Sequence, residues 1–295
     1  MTMTSNRAFR DSRAAGLAMV VVAGLIYSTA GLFTRALPLN AWSLLAWRAV
    51  FGTAFMLAWM AVENGRNLPA AFALSPGALV LTVPTALSGL CYIFALKLTT
   101  VADVMVVYAT VPFVTAFVAW AWMGDVPDRR LLAAGGVAFV GVAIMVGGGG
   151  TNGTRLAGMG FAMAMNFGMA IILVNASRNA RTGNAVYTLG TALSGVIGFA
   201  FAPRLGVSVD DLALLAPFGF LTIGLAMALY MAGARRIPAA EVGLVSMLDV
   251  ASGPALVWFT FGEDPGSVTV VGGALVVSAL LWHFAPDVKR LLSSA

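Results

Sequence analysis

An acidic residue lies near the middle of a long apolar stretch in the C-terminal part of the chain. Asp249 has Ser246 three residues before it and Ser252 three residues after it, so a helix would place all three on one face. A carboxylate inside a membrane is unfavourable unless it faces a partner or a water-filled cavity. The pattern predicts a cavity wall where Asp249 contacts a substrate ammonium or carries a proton. A buried acid that bonds to another helix is an equally good interpretation.

A basic residue, Arg48, lies inside a second apolar stretch. It is about 10 Å from the predicted outer end of that stretch, at roughly 1.5 Å of rise per residue. Its guanidinium could pair with the carboxylate of a substrate. Long basic side chains also extend to the membrane surface or bond to helix ends, and the sequence favours such a structural role for Arg48.

Tyrosines occupy related positions towards opposite faces of the predicted membrane region. Tyr92 follows Ser88 by four residues, and Tyr230 lies towards the other face. A polar-tipped aromatic residue at each mouth of a cavity would suit an outer and an inner gate. The alternative is the belt of aromatic residues found at membrane surfaces.

Further candidates for the cavity wall lie on three other predicted helices, namely Tyr27, Gly31, Thr34, Met105, Tyr108, Asn166 and Phe167.

Charged residues flank the same regions. Lys97 and Asp103 lie towards the outer face, and Arg235 and Glu241 lie towards the inner face. We predict that each pair latches its side of the protein, although exposed ion pairs of this kind are usually weak.

Several chemistries lack the residues that they need. The chain has no glycine-rich phosphate loop, and neither of its two lysines follows a glycine, so an ATP-driven pump is not expected. No cluster of His, Cys and acidic residues predicts a metal ion, and no Ser–His pair predicts a hydrolase. We therefore expect no cofactor, no metal and no enzymatic activity. The net charge of +5 comes from scattered basic residues and does not predict nucleic-acid binding.

The composition indicates which elements must position these residues. The 295 residues are 60% hydrophobic and only 10% charged, whereas soluble domains carry about 25% charged residues. This predicts an all-α polytopic membrane protein. Ten apolar segments are long enough to cross a bilayer, which takes about 20 residues each. They span residues 14–36, 41–62, 76–98, 102–123, 131–148, 156–175, 184–202, 212–233, 239–261 and 268–284.

The basic residues also predict the orientation, because cytoplasmic loops carry an excess of Lys and Arg. With the N-terminus in the cytoplasm, twelve basic residues fall at inside ends and four at outside ends, so both termini are predicted to be cytoplasmic. The predicted organisation is a cytoplasmic tail (1–13), a five-helix repeat (14–148), a glycine-rich linker (149–155), a second five-helix repeat (156–284) and a cytoplasmic tail (285–295).

An internal repeat relates the two halves at a constant shift. Tyr92 pairs with Tyr230 (230 − 92 = 138), and Asp103 pairs with Glu241 (241 − 103 = 138). Five crossings separate equivalent positions, and because five is odd, the second half must run opposite to the first. Inverted repeats of this kind are a common architecture of membrane transporters.

Two stretches carry a family likeness. Residues 107–125 (VYATVPFVTAFVAWAWMGD) and 244–263 (LVSMLDVASGPALVWFTFGE) each contain an internal proline and end in glycine and an acidic residue. They resemble the fourth and ninth helices of EamA-type members of the drug/metabolite transporter superfamily. The glycine-rich stretches at 133–141 and 272–280 resemble the helices that follow. Two positions depart from the pattern: Asp125 replaces the usual Glu, and Val250 stands where the repeat has Pro112.

The resemblance implies ten helices in two inverted five-helix repeats, located in the bacterial inner membrane. Within the family, the chain looks most similar to exporters of aromatic amino acids. This implies export of aromatic and other neutral amino acids by alternating access around a central cavity, with a small molecule and the lipid bilayer as partners and a monomer sufficient. Efflux of hydrophobic cations, with Asp249 taking the positive charge, is the alternative. A lipid-modifying enzyme would need clustered catalytic residues, which the sequence lacks. Proton coupling and uniport both remain open.

Overall fold

The computed structural model describes residues 3–124, 126–148, 152–176, 183–203, 206–237, 242 and 247–293. These residues form helices and their connections, and no β-strand occurs among them. The prediction of an all-α chain is confirmed.

The helices of the first half are α1 (Met3–Ser28), α2 (Ala30–Ala36), α3 (Ala41–Asn64), α4 (Leu68–Ala71), α5 (Pro76–Val80), α6 (Thr82–Leu98), α7 (Val101–Tyr108), α8 (Val111–Met123) and α9 (Arg129–Gly148), with a 3-10 turn at Gly65–Asn67. Those of the second half are α10 (Gly153–Ala176), α11 (Gly183–Phe201), α12 (Val209–Phe218), α13 (Ala226–Ala234), α14 (Met247–Phe261) and α15 (Ser267–Ser293), with a π-helix at Gly219–Leu225. α1 and α15 extend beyond the predicted membrane boundaries because the prediction followed apolar residues, and a helix can project into water.

Seven helical stretches in the described part of the chain are long and apolar enough to cross a membrane, and the bent pair α7 and α8 makes an eighth. Two shorter apolar stretches, Leu248–Phe261 and Ser267–His283, belong to α14 and α15. Large apolar side chains also cover the outside of the bundle, and Trp122 and Phe259 are 58% and 84% exposed. Soluble proteins rarely expose such large apolar surfaces. The chain is therefore a multi-pass membrane protein, while the number of ten crossings remains a prediction.

The fourth predicted span is broken rather than continuous. α7 and α8 are bent by 42° at Ala109 and Thr110. Pro112 lies in the first turn of α8, where its missing N–H needs no helical partner. Asn166 of α10 holds the bend, because its Nδ2 donates to the carbonyl of Val107 at 2.6 Å and to Thr110 Oγ1 at 3.1 Å. The sequence prediction of one helix over 102–123 missed this break.

Glycine has a backbone role in the two glycine–acid turns that the repeat relates. Gly124 ends α8 with a φ of 74°, and Gly262 follows α14 with a φ of 66°. Positive φ is strained for residues with a Cβ, so glycine is favoured where a helix ends in this way. The matching geometry supports the relation between the two halves.

Glycines also let α3 lie directly against the π-helix. A Cβ on Gly219 would be 2.4 Å from the carbonyl oxygen of Arg48, and a Cβ on Gly52 would be 2.4 Å from Ile223. The close contact fixes the position of Arg48 relative to the π-helix. Widened helical turns of this type occur frequently at functional sites.

Hydrogen bonds between helix ends define one face of the bundle, which we call the network face. It contains the ends of α2, α6, α9 and α14 and the starts of α7, α10 and α15. The opposite face contains the end of α3 at Glu63, the start of α11 at Asn184 and the end of α13 at Arg235. Helices related by the shift of 138 residues, which we call counterparts, therefore run in opposite directions. α2 ends where its counterpart α10 begins, and the span formed by α7 and α8 begins where α14, in the counterpart span, ends.

Contacts between the halves follow the same relation. α6 packs on α10, and its counterpart α13 packs on α1. α3 packs on α11 and α9 on α15, so each of these helices contacts its own counterpart, and α7 packs on α14, the counterpart of α8. A two-fold axis between inverted halves would produce this symmetric set of contacts. The packing supports the predicted inverted repeat.

Candidate functional site

A cavity of about 230 Å³ lies between the two halves, bordered by α1, α3, α6, α7, α10, α11, α13 and α14. All five tyrosines of the chain line it, together with Arg48 and Asp249. Five methionines and several aliphatic residues complete the wall. Sites for small molecules usually combine an apolar wall with a few polar groups. This cavity has that character, and its lining extends to Leu173, Gly183 and Met231, away from the network face.

Arg48 lies on α3 and is 7% exposed. Its Nε and Nη2 each lie 3.4 Å from Thr222 Oγ1 on the π-helix. The carbon of its guanidinium lies 4.8 Å from the ring centre of Phe218 and 5.5 Å from that of Tyr92. No carboxylate in the described part of the chain is within 4.0 Å of it. Two aromatic rings and one hydroxyl therefore stabilise the charge at the cavity wall.

Asp249 lies in the first turn of α14 and is also 7% exposed. Its Oδ1 is buried and forms no hydrogen bond with the residues that the structure describes. The same cavity carries the phenol groups of Tyr92 and Tyr108. An acidic oxygen without a partner, next to a cavity, is able to accept a hydrogen bond from a bound cation or proton donor.

The structure brings many of the predicted site residues together. Those that line the cavity are Tyr27, Arg48, Ser88, Tyr92, Met105, Tyr108, Tyr230 and Asp249. Ser88 also joins two helices, since its Oγ donates to the carbonyl of Met165 at 3.0 Å. The gating roles of Tyr92 and Tyr230 stay predictions.

Five predicted cavity residues face other helices or the outer surface instead, namely Gly31, Thr34, Asn166, Phe167 and Ser252. Thr34 Oγ1 donates to the carbonyl of Ala30 at 2.8 Å, and Phe167 is 42% exposed. The sequence predicted that all five face the cavity, but Phe167 lies at the outer surface and the other four pack against neighbouring helices. The predicted residues Ser246 and Glu241 lie outside the described residues.

Two of these residues tie helices together. Asn166 bonds the bend between α7 and α8, as described above. Ser252 Oγ on α14 lies 2.6 Å from Ser28 Oγ on α1. The amide nitrogen of Asn166 and the hydroxyl of Ser252 are therefore used within the helix bundle.

One part of the cavity wall, formed by α11, is not among the residues predicted from the sequence. Tyr187 lines the cavity, together with Thr191 and Ser194. A signal was available, because Tyr187 is the remaining tyrosine of the chain and Thr191 follows it by four residues, on the same helix face.

Asp103 is the centre of the network face. It is 1% exposed and forms an ion pair with Arg155, whose Nε lies 2.7 Å from Oδ2 and whose Nη2 lies 2.9 Å from Oδ1. Thr99 and Thr269 donate to the same carboxylate at 2.7 and 2.8 Å. Four helices, α6, α7, α10 and α15, therefore meet at one acidic side chain.

A second ion pair lies on the same face. Arg35 at the end of α2 pairs with Glu263, with Nε 2.5 Å from Oε2. Lys97 donates to the carbonyl oxygens of Thr34 and Leu37 at 3.1 and 2.8 Å. The predicted latch paired Lys97 with Asp103, and the structure pairs both residues differently. Asp103 binds Arg155, because α10 begins beside α7. Lys97 binds carbonyl oxygens at the C-terminal end of α2.

The opposite face has a weaker contact in the described part of the chain. Arg235 lies 3.3 Å from Glu63, and their side chains are 57% and 40% exposed. The predicted partner of Arg235, Glu241, lies outside the described residues. Exposed pairs of this kind contribute little to stability, so the described contacts hold the network face more firmly than the opposite one.

A larger groove, of about 470 Å³, lies between α8 and α9. Phe117, Trp120 and Phe139 line it, and all three are about half exposed. The other side chains along it are also apolar. The groove therefore offers nothing to orient a polar ligand, and the central cavity is the better candidate site.

Comparison with known proteins identifies part of the chain directly. Residues 14–147 match the EamA-like transporter family. This match supports the predicted family for the first half of the chain. No curated protein matches the chain.

One solved crystal structure shares the fold. It has a TM-score of 0.64 and 18% sequence identity, and the likeness covers 95% of this chain and 99% of the other. At this identity the likeness concerns the fold alone. The shared fold covers nearly the whole chain.

Proposed function

We propose that the protein transports small zwitterions, among them aromatic and other neutral amino acids, across the bacterial inner membrane. The observation that carries this proposal is the cavity between the two halves, where Arg48, Asp249 and all five tyrosines meet. The carboxylate of an amino acid would meet the positive charge of Arg48 in this cavity, and its ammonium group would meet the acidic side chain of Asp249. A planar aromatic side chain would suit the wall of tyrosine and methionine.

The mechanism that we propose is alternating access. The network face is held by Asp103–Arg155 and Arg35–Glu263, while the cavity extends towards the other face. The opposite orientation of counterpart helices supports an exchange in which each half takes the other's arrangement. Release of the network contacts would then open the cavity towards the network face. We infer that the direction of transport is export.

The test is uptake of radiolabelled phenylalanine into liposomes that contain the purified protein, compared with liposomes without protein. We expect equilibration in the absence of a gradient. Accumulation above equilibrium under an imposed pH gradient would add proton coupling, and equilibration that the gradient does not change would leave a uniport. If phenylalanine, threonine and methionine all fail to enter, the proposed substrates are wrong.

Efflux of hydrophobic cations is the second candidate, and the unpartnered Oδ1 of Asp249 favours it. The variant Asp249→Asn distinguishes the two. It should abolish transport of a lipophilic cation, whereas a zwitterion anchored by its carboxylate would retain part of its flux. The exposed Asp210→Asn variant is the matched control, since it removes the same charge outside the cavity.

A further inference from the structure

Arg48 has more hydrogen-bonding capacity than the described residues use. A guanidinium carries five N–H donors, and the contacts with Thr222 engage only Nε and one N–H of Nη2. Both bonds are long, at 3.4 Å. Three N–H groups (5 − 2 = 3) thus lack a partner among the described residues, although Arg48 is only 7% exposed. A buried guanidinium in this state is able to bind an acceptor from the cavity.

Two aromatic rings lie beside the guanidinium of Arg48. Phe218 and Tyr92 lie against the guanidinium, at 4.8 and 5.5 Å from its carbon to the ring centres. Aromatic rings attract a cation through their faces and supply no oxygen acceptor from those faces. The donors of a planar guanidinium point outward in its plane, in a fork that matches the two oxygens of a carboxylate. The free edge thus suits a planar anion.

The structure also fixes the position of the guanidinium. Thr222 is fully buried, and its hydroxyl donates to the carbonyl of Phe218 at 2.7 Å, which leaves the oxygen lone pairs to accept from Arg48. The π-helix that carries Thr222 lies close to α3 because Gly219 has no side chain. Arg48 is therefore held in the wall and does not extend to the membrane surface.

We propose that Arg48 is the carboxylate-binding residue of the cavity, so that the ligands of this site are carboxylates and, with Asp249 in the same cavity, amino acid zwitterions. This deepens the proposed function and rests on it. It also decides between the two candidate substrate classes, because a hydrophobic cation without a carboxylate would leave Arg48 unpaired and would face a buried positive charge.

The experiment measures binding to the purified full-length protein by calorimetry with three ligands that share one ring. Phenylalanine has both charged groups, phenethylamine lacks the carboxylate and 3-phenylpropionate lacks the amine. We expect phenylalanine to bind roughly 10- to 100-fold more tightly than phenethylamine, the range that charge-assisted hydrogen bonds give. Arg48→Gln should reduce phenylalanine affinity by that factor and should not weaken phenethylamine binding, because the substitution removes a like charge from the cavity. The exposed Arg66→Gln variant is the control and should change neither.

Thr222→Val provides a second variant if Arg48→Gln does not fold. It keeps the shape of the side chain and the charge of Arg48 but removes the oxygen that positions the guanidinium. We expect several-fold weaker binding of phenylalanine and no change for phenethylamine. Equal weakening of both ligands in both variants would show a merely structural role and would overturn the proposal.

The outcomes separate this proposal from the proposed function. Binding that depends on Arg48, without uptake into liposomes, keeps the carboxylate site and refutes transport. Uptake of phenylalanine with the same KM in wild type and Arg48→Gln keeps transport and refutes the site. Failure of both carboxylate ligands to bind overturns the carboxylate site, whatever the result with phenethylamine.

Discussion

Replacement of Asp103 by Asn tests whether the network face is held by a buried ion pair. The carboxylate of Asp103 accepts four hydrogen bonds, two from Arg155 and one each from Thr99 and Thr269. The amide of Asn has one oxygen, which can keep two of these bonds, and its NH₂ group would face the other two donors. The variant therefore loses two bonds and leaves Arg155 without its counter-charge.

The expected loss of stability follows from these contacts. A hydrogen bond to a charged group contributes about 1.5–3 kcal/mol, so two lost bonds give about 3–6 kcal/mol. Breaking a buried ion pair by removal of one partner gives about 3–5 kcal/mol. The two routes agree, and Asp103→Asn should lower the free energy of unfolding by about 3–5 kcal/mol.

The assay is unfolding of the purified protein in mixed micelles, followed by tryptophan fluorescence. The control is Glu63→Gln, which breaks the exposed ion pair with Arg235 on the opposite face and should lower stability by no more than about 1 kcal/mol. Equal losses in the two variants would refute the argument from burial. The double variant, Asp103→Asn with Arg155→Gln, should lose less free energy of unfolding than the sum of the two single losses, because it leaves no unpaired charge.

Two further substitutions test contacts between helices, one at the bend between α7 and α8 and one where the π-helix meets α3. Asn166→Ala removes both bonds that hold the break between α7 and α8 and should lower the free energy of unfolding by about 1–3 kcal/mol in the same assay; no measurable loss would show that Pro112 alone maintains the bend. Gly219→Ala places a Cβ at 2.4 Å from the carbonyl oxygen of Arg48 and should destabilise by about 1–3 kcal/mol. Gly136→Ala, at a position with open space, should be tolerated, and similar losses at both glycines would count against close backbone contact as the cause.

The sequence predicted the charged and aromatic part of the cavity because such residues stand out in apolar stretches. Asp249 and Arg48 are the clearest cases, since a charge inside a membrane needs a physical reason. The tyrosines follow the same logic, and Tyr187 could have been included on those grounds. The helices themselves were predictable because their apolar stretches are long and uninterrupted.

The direction of each helix face was not predictable in the same way. Asn166 and Ser252 are polar residues in apolar helices, as the cavity residues are, yet they bond neighbouring helices. Periodicity shows which residues share a face but not which neighbour that face meets. The partner of Asp103 illustrates the same limit, since Arg155 is 52 residues away and is brought near only by the packing of α10 against α7.

Among the residues that the structure describes, the cavity wall carries one basic and one acidic side chain, Arg48 and Asp249, and this balance bears on the electrical work of the proposed transport. Moving one unit charge across 100 mV changes the free energy by about 2.3 kcal/mol. A zwitterion carries no net charge, so its passage would be indifferent to membrane voltage. A cation would be drawn inward by a potential that is negative inside, and its export would need another source of energy. The transport of zwitterions that we propose would therefore run down their own concentration gradient at any membrane voltage.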